Sequence, residues 1–205
     1  MITYPKIQTV WKRDERGKII EGQYSTPEFE YLADCPWEWT EKVDGTNIRV
    51  YWPGVGAPQF GGRTDNAQLP TPLLNHLSTT FTTELMESVF GRATVTLFGE
   101  GYGAGIQKVG HKYRSDQGFI LFDVLIDPWW LRRPDVQDVA HKLGIPMVPL
   151  LGKATLREMC DRAAAGMDSL LGDLCGEGIV ARTPVGLLDR DGTPIMVKIK
   201  AKDYA

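Results

Sequence analysis

The sequence is poor in residues that cross-link or chelate. Its 205 residues include three cysteines, Cys35, Cys160 and Cys175, and three histidines, His76, His111 and His141. No Cys-x-x-Cys pair occurs, so neither a disulfide framework nor a zinc site is expected, and the chain fits a reducing compartment. The scattered histidines are read as surface or core residues without a chemical role. Long apolar runs are missing as well. Stretches such as Ile120-Leu121-Phe122 and Leu170-Leu171 fall far short of the roughly 20 residues that cross a bilayer, and no apolar signal segment follows the first lysine. A cytoplasmic, non-membrane protein is the expectation. Excess charge of one sign is absent too. A net charge of −3 argues against holding nucleic acid by bulk electrostatics, so a polyanion would have to be met by a local basic surface. No repeat, low-complexity tract or Ser/Gly linker divides the chain, and its 22 glycines and 13 prolines are spread throughout as turns, which implies a single domain over residues 1–205.

What is present is mainly β patterning. Residues 37–41 (Trp-Glu-Trp-Thr-Glu) and 47–52 (Asn-Ile-Arg-Val-Tyr-Trp) alternate bulky and polar side chains with Asp44-Gly45 between them. This predicts two strands joined by a tight turn with Lys42 at its entrance. Further Val-, Ile- and Phe-rich runs predict strands over 94–98, 119–126, 178–182 and 195–200. Three helices are predicted. One covers 71–90, with Thr71 as cap, Pro72 at the first position and Gly91 as stop. A second runs from Pro134-Asp135 to Gly144, and a third from the capping box Thr155-Leu156-Arg157-Glu158 to Gly166. Strands with helices inserted between them imply an α+β domain of mostly antiparallel sheets with flanking helices.

The sharpest local signal is Glu41-Lys42-Val43-Asp44-Gly45-Thr46-Asn47. By itself it reads equally as a solvated hairpin turn, since Asp-Gly favours such turns. Other segments follow in order: Gly61-Gly62-Arg63-Thr64, Leu97-Phe98-Gly99-Glu100-Gly101, residues 119–124 (Phe-Ile-Leu-Phe-Asp-Val), Glu177-Gly178-Ile179-Val180 and Val197-Lys198-Ile199-Lys200. In this order, from Lys42 to Lys200, the sequence resembles the covalent nucleotidyltransferase superfamily of ATP-dependent ligases and mRNA capping enzymes, whose Lys-x-x-Gly lysine becomes nucleotidylated. The flanking Glu41, Thr46-Asn47 and Gly105-Ile106-Gln107-Lys108 make it similar to the RNA ligase 2 type of RNA ligase, common in phages. DNA ligases typically carry arginine where Asn47 stands.

A lysine amine is protonated at neutral pH and needs nearby positive charge or a divalent cation to become a nucleophile. Lys198 and Lys200, at i and i+2 on a strand, present both ammonium groups to one face, where they can hold phosphate oxygens and favour the neutral amine of Lys42. Phosphoryl transfer also calls for Mg²⁺ or Mn²⁺, with Glu177 as the best candidate ligand. The resemblance implies that Glu100 takes ribose hydroxyls, that Phe122 stacks on adenine, that Arg63 reaches phosphate or the RNA end, and that Glu41 lies near the base edge. Asn47 completes the ATP-binding set. Within residues 119–124, strict alternation puts Ile120 and Phe122 on one face and Phe119, Leu121 and Asp123 on the other. The activity implied is ATP-dependent RNA ligation through lysyl-AMP on RNA ends or a nicked RNA duplex, by a monomer. A compact DNA ligase, a capping guanylyltransferase and a degenerate nucleotide- or RNA-binding module are the alternatives. Only Ala201 to Ala205 follow Lys200, so no appended OB or helical domain is expected.

Overall fold

A computed structural model describes residues 1–205. In chain order its elements are β1 (Gln8–Thr9), β2 (Trp11–Arg13), β3 (Ile19–Tyr24), α1 (Pro27–Tyr31), β4 (Trp37–Glu41), β5 (Thr46–Trp52), β6 (Gln59–Gly61), α2 (Thr71–Thr80), α3 (Thr83–Phe90), β7 (Val95–Gly103), β8 (Gln117–Ile126), β9 (Trp129–Trp130), α4 (Arg133–Leu143), β10 (Leu150–Ala154), α5 (Leu156–Ala165), β11 (Gly178–Arg182) and β12 (Met196–Lys200). They fold into two compact units. The first joins Met1–Tyr4 to Asp44–Val148, and the second joins Pro5–Val43 to Pro149–Ala205.

The first unit holds a five-stranded antiparallel sheet in the order β6-β5-β7-β8-β9. One face buries Ile48, Val50 and Trp52 of β5, Leu97 of β7 and Phe119, Leu121 and Val124 of β8 against Leu73, Leu77, Met86, Val136 and Val139 of α2, α3 and α4. The second unit holds a sheet in the order β1-β12-β11-β4-β10, antiparallel except for β1 on β12. Its core gathers Trp37, Trp39, Ile179, Ala181, Val197 and Ile199 from the sheet, Phe29 from α1 and Leu156, Met159, Cys160 and Ala163 from α5. The expected α+β class and the dominance of antiparallel pairing are both found.

Several expectations are corrected. β4 and β5 are not a hairpin: β4 pairs with β10 and β11, and β5 with β6 and β7. The segment between them is a crossing from one unit to the other, with Val43 ending one and Asp44 opening the next. The single helix over 71–90 is two. α2 starts after Pro70, which provides no side-chain cap, and α3 restarts at Thr82, whose hydroxyl accepts from the Leu85 amide. The break falls at Phe81, fully buried, its ring edge-on to Phe119 with centroids 5.4 Å apart. Tertiary packing of that ring and a competing N-cap outweigh continuous helical periodicity.

β7 runs on past Phe98 to Gly103, which places Glu100 within a strand. The glycines beside it serve packing more than ligand approach. A Cβ on Gly99 would lie 2.2 Å from the Phe119 ring, and one on Gly101 2.6 Å from Leu73. Alternation also fails in β8. Phe98 pairs with Asp123 and Gly99 with Leu121, so Phe122 is an extra, bulged residue. Parity inverts across it: Phe119, Leu121 and then Val124 face the core, while Asp123 joins the face of Ile120 instead of the face of Leu121.

Candidate active site

In the second unit the pleat sorts side chains into two sets. Trp37, Trp39, Glu41, Ile179, Ala181, Val197 and Ile199 are all buried, and the intervening Glu38, Thr40, Val180, Arg182, Lys198 and Lys200 are all half-buried. The ladder sets Val180 opposite both Thr40 and Lys198, and Gly178 opposite Lys200. Lys42 continues it, its amide donating to the Gly178 carbonyl at 2.8 Å. The period of two therefore lines up Lys42, Lys198 and Lys200 on the face away from the core.

Glu177 completes the group. Its Oε2 accepts from Lys42 Nζ, and Lys200 Nζ lies 3.5 Å from Oε1, with all three side chains about one-fifth to one-quarter exposed. One carboxylate between two ammonium groups leaves the cluster net positive, as phosphate binding requires. Gly178 makes the approach possible. Its φ of 154° disfavours a side chain, and a Cβ there would lie 2.1 Å from the Ile199 carbonyl oxygen. The chain enters β11 through a conformation that only glycine tolerates, and so brings the preceding Glu177 to the lysine face.

Glu41 departs from expectation. It is 2% exposed and lies on the opposite, core-facing side of the sheet from Lys198 and Lys200. Its Oε1 accepts from Ser169 Oγ at 2.5 Å and its Oε2 from the Leu170 amide at 2.9 Å. The expected placement of this carboxylate at a base edge meets a side chain whose two oxygens already have protein donors.

In the first unit Asn47, Glu100 and Ile120 form a cross-strand row on the sheet face away from the core. Asn47 Oδ1 is buried without a hydrogen-bond partner, a state that costs free energy and that a ligand donor would relieve. Phe122 is half-buried and packs edge-on to Tyr4, with ring centroids 5.0 Å apart. Tyr4 also donates its hydroxyl to Asp123 Oδ2 at 2.9 Å and touches Phe98 and Trp130. Arg63 is exposed.

Sequence reasoning passed over Arg49. Fully buried, its guanidinium donates to the Gly62 carbonyl (2.6 Å), the Met1 and Ile2 carbonyls (3.0 and 3.3 Å) and Asp65 Oδ1 (2.9 Å), fixing the turn that carries Arg63. A charged residue between Ile48 and Val50 reads as the solvent face of a strand, and no local signal contradicts that. The motif turn has its own supports: Tyr113 Oη accepts from the Asp44 amide at 3.2 Å, and Gln107 Nε2 donates to the Gly45 carbonyl at 2.8 Å.

No cluster of three or more His, Cys, Asp or Glu side chains is assembled, so the protein offers no complete metal cage of its own. A lone carboxylate suits Mg²⁺ or Mn²⁺ nonetheless, because these ions take one or two carboxylates and complete their shell with water and substrate phosphates. Glu177, beside Lys42 and Lys200, fits that donor set.

An α+β scaffold of antiparallel sheets with an ordered lysine, glutamate and lysine-pair series defines a nucleotidyltransferase fold. Its solved counterparts include the Naegleria gruberi RNA ligase, in a variant determined with ATP and Mn (TM-score 0.74, 19% identity, covering 99% of this chain and 57% of that one) and in another with AMP and Mn (TM-score 0.69, 20% identity, 98% and 62%). The RNA ligase family profile matches residues 36–200, and the chain belongs to that family. No curated protein matches the sequence. The chain spans about three-fifths of the length of the solved ligases it resembles.

Proposed function

We infer that this protein is an ATP-dependent RNA ligase, or its adenylyltransferase portion, and that residues 1–205 are one nucleotidyltransferase domain. The observation that carries the reading is the grouping of Lys42, Glu177 and Lys200 on the face that also bears Lys198, in a chain of the RNA ligase family. The Lys42 amine attacks the α-phosphorus of ATP, forming a P–N bond as the bond to pyrophosphate breaks. AMP then passes from lysine to an RNA 5′-phosphate, and a 3′-hydroxyl displaces it to close the phosphodiester.

The ion pair with Glu177 must open, and the amine must lose its proton, before the nitrogen can attack. Lys198 and Lys200 neutralise phosphate oxygens where charge accumulates. Mg²⁺ or Mn²⁺, held by Glu177, would supply further charge neutralisation when bound. Glu100 takes the ribose hydroxyls, Phe122 offers its ring to adenine, Asn47 contributes its buried oxygen and Arg63 reaches the phosphate or the RNA end. RNA ends or a nicked RNA duplex are the partners of a monomeric, cytoplasmic enzyme, and no helix is long and apolar enough to cross a membrane.

The test is incubation with ATP or GTP labelled at the α-phosphate, in Mg²⁺ or Mn²⁺. Label on protein from ATP supports the ligase. Label from GTP alone identifies a capping guanylyltransferase, and no label identifies a binding module. Sealing of nicked RNA over nicked DNA separates the RNA ligase from a compact DNA ligase.

A further inference from the structure

We propose that Glu41 is a positioning residue that latches the loop carrying Glu177, and that its carboxylate does not select the nucleotide base. The proposal deepens the nucleotidyltransfer reading above and rests on it for its kinetic consequences. Three observations carry it. The first is the pleat: Glu41 shares the buried face of β4 with Trp37 and Trp39 and pairs with Ile179, whereas Lys198 and Lys200 occupy the other face.

The second is saturation of the carboxylate. Ser169 Oγ and the Leu170 amide each take one of its oxygens, and Ser169 Oγ itself accepts from the Leu171 amide at 3.0 Å. One buried carboxylate thus orders three successive loop residues. Charge-assisted bonds of this kind, to a carboxylate that is itself 2% exposed, are strong and directional.

The third is where the loop leads. It closes on itself through Gly176 to the Met167 carbonyl (2.8 Å) and Ser169 to the Leu174 carbonyl (2.9 Å), and Met167 packs on the core of the second unit. The residue after Gly176 is Glu177. A loop pinned at Ser169–Leu171 and at Met167 delivers the Glu177 carboxylate to Lys42 and Lys200 from a fixed base. Without the latch the backbone ahead of Glu177 keeps only its own short hydrogen bonds, and the position of the carboxylate blurs.

The experiment uses the full chain as wild type, Glu41→Gln, Ser169→Ala and the double variant. Residue-resolved amide hydrogen exchange at Leu170 and Leu171 is the direct readout, and exchange at Leu170 should accelerate at least tenfold in Glu41→Gln. Lysyl-AMP formation is the functional readout. The Mg²⁺ concentration for half-maximal rate should rise severalfold in Glu41→Gln and in Ser169→Ala, the preference for ATP over GTP should stay unchanged, and the double variant should be no worse than Glu41→Gln alone. Ser169→Ala, on a surface loop, keeps the test open should Glu41→Gln fold poorly. Unchanged Leu170 exchange in both single variants, an altered ATP-to-GTP preference, or multiplicative losses in the double variant would each overturn the latch. Absence of lysyl-AMP in the wild type would sink the proposed function instead, and the exchange measurement would still decide the latch.

Discussion

Each unit lays a five-stranded sheet over one hydrophobic core, and the opposite sheet faces differ in kind. In the second unit that face carries half-buried lysines around one carboxylate, and its cationic groups keep contact with solvent. In the first unit the corresponding face has half-buried Asn47, Glu100 and Phe122 beside fully buried Arg49, Phe98 and Asp123, which hydrogen bonds and rings hold. Groups that change partners during phosphoryl transfer need room and hydration, whereas groups that recognise a shape gain from being immobilised. On the function proposed above, chemistry belongs to the second unit and recognition to the first.

The hardest blow to that division falls on Lys42. In Lys42→Ala, intact-mass analysis after ATP treatment should show complete loss of the AMP adduct. Lys42→Arg should fail equally, because a guanidinium does not deprotonate. An adduct as strong as wild type in either would remove the chemistry from the second unit.

Paired carboxylate variants sharpen the comparison. Glu177→Gln should raise the Mg²⁺ concentration for half-maximal lysyl-AMP formation tenfold or more with little change in nucleotide choice, and Glu100→Ala should weaken discrimination between ATP and 2′-deoxy-ATP. Titrations of Mg²⁺ and of the two nucleotides would separate them. Identical changes in metal dependence, with sugar choice untouched, would erase the distinction between units.

Arg49→Ala tests the immobilised face through stability. It strips donors from the Gly62, Met1 and Ile2 carbonyls, and leaving the buried Gly62 carbonyl unpaired while emptying the space of a fully buried side chain should cost about 2–3 kcal/mol in chemical denaturation. Arg49→Lys should recover only part of this, since an ammonium cannot span the same fork.

The smallest expected effect is a pH dependence in the second unit. Burial pushes the Cys160 thiol up from 9.0 to about 11, against a lowering hydrogen bond with Tyr204, whose own phenol burial also raises. The thiol keeps its proton more tightly when folded, so its contribution is fully present below about pH 9 and is lost as pH rises toward 11, on the order of 1–2 kcal/mol. Denaturation midpoints measured from pH 8 to 11 should fall less steeply in Cys160→Ala. Exposed Cys35 and Cys175 should react with a thiol reagent well before Cys160.

Much of this was readable from local pattern. The strand over Trp37–Glu41, that over Gly178–Arg182 and the capping box at Thr155 lie where alternation and capping chemistry put them. The pairing of Lys198 with Lys200 on one face follows from the same period of two. What escaped was decided by contacts distant in sequence. Arg49 looks solvent-facing until the chain brings Met1, Ile2 and Gly62 around it, and Glu41, expected near the base edge, takes its hydrogen bonds from Ser169 and Leu170, well over a hundred residues away. The turn at Asp44-Gly45 carries the composition of a hairpin, but its two strands find different partners.

The bulge at Phe122 bears on how such a chain tolerates insertions and deletions. In an uninterrupted strand, adding or losing one residue sends every later side chain to the wrong face. Phe122 is the surplus residue opposite the Phe98–Gly99 junction, so excising it would leave Asp123 still facing Tyr4 and Val124 still facing the core. The ring of Phe122 is thus carried by a residue outside the ladder, and its removal would leave the pairing of the residues on either side of it intact.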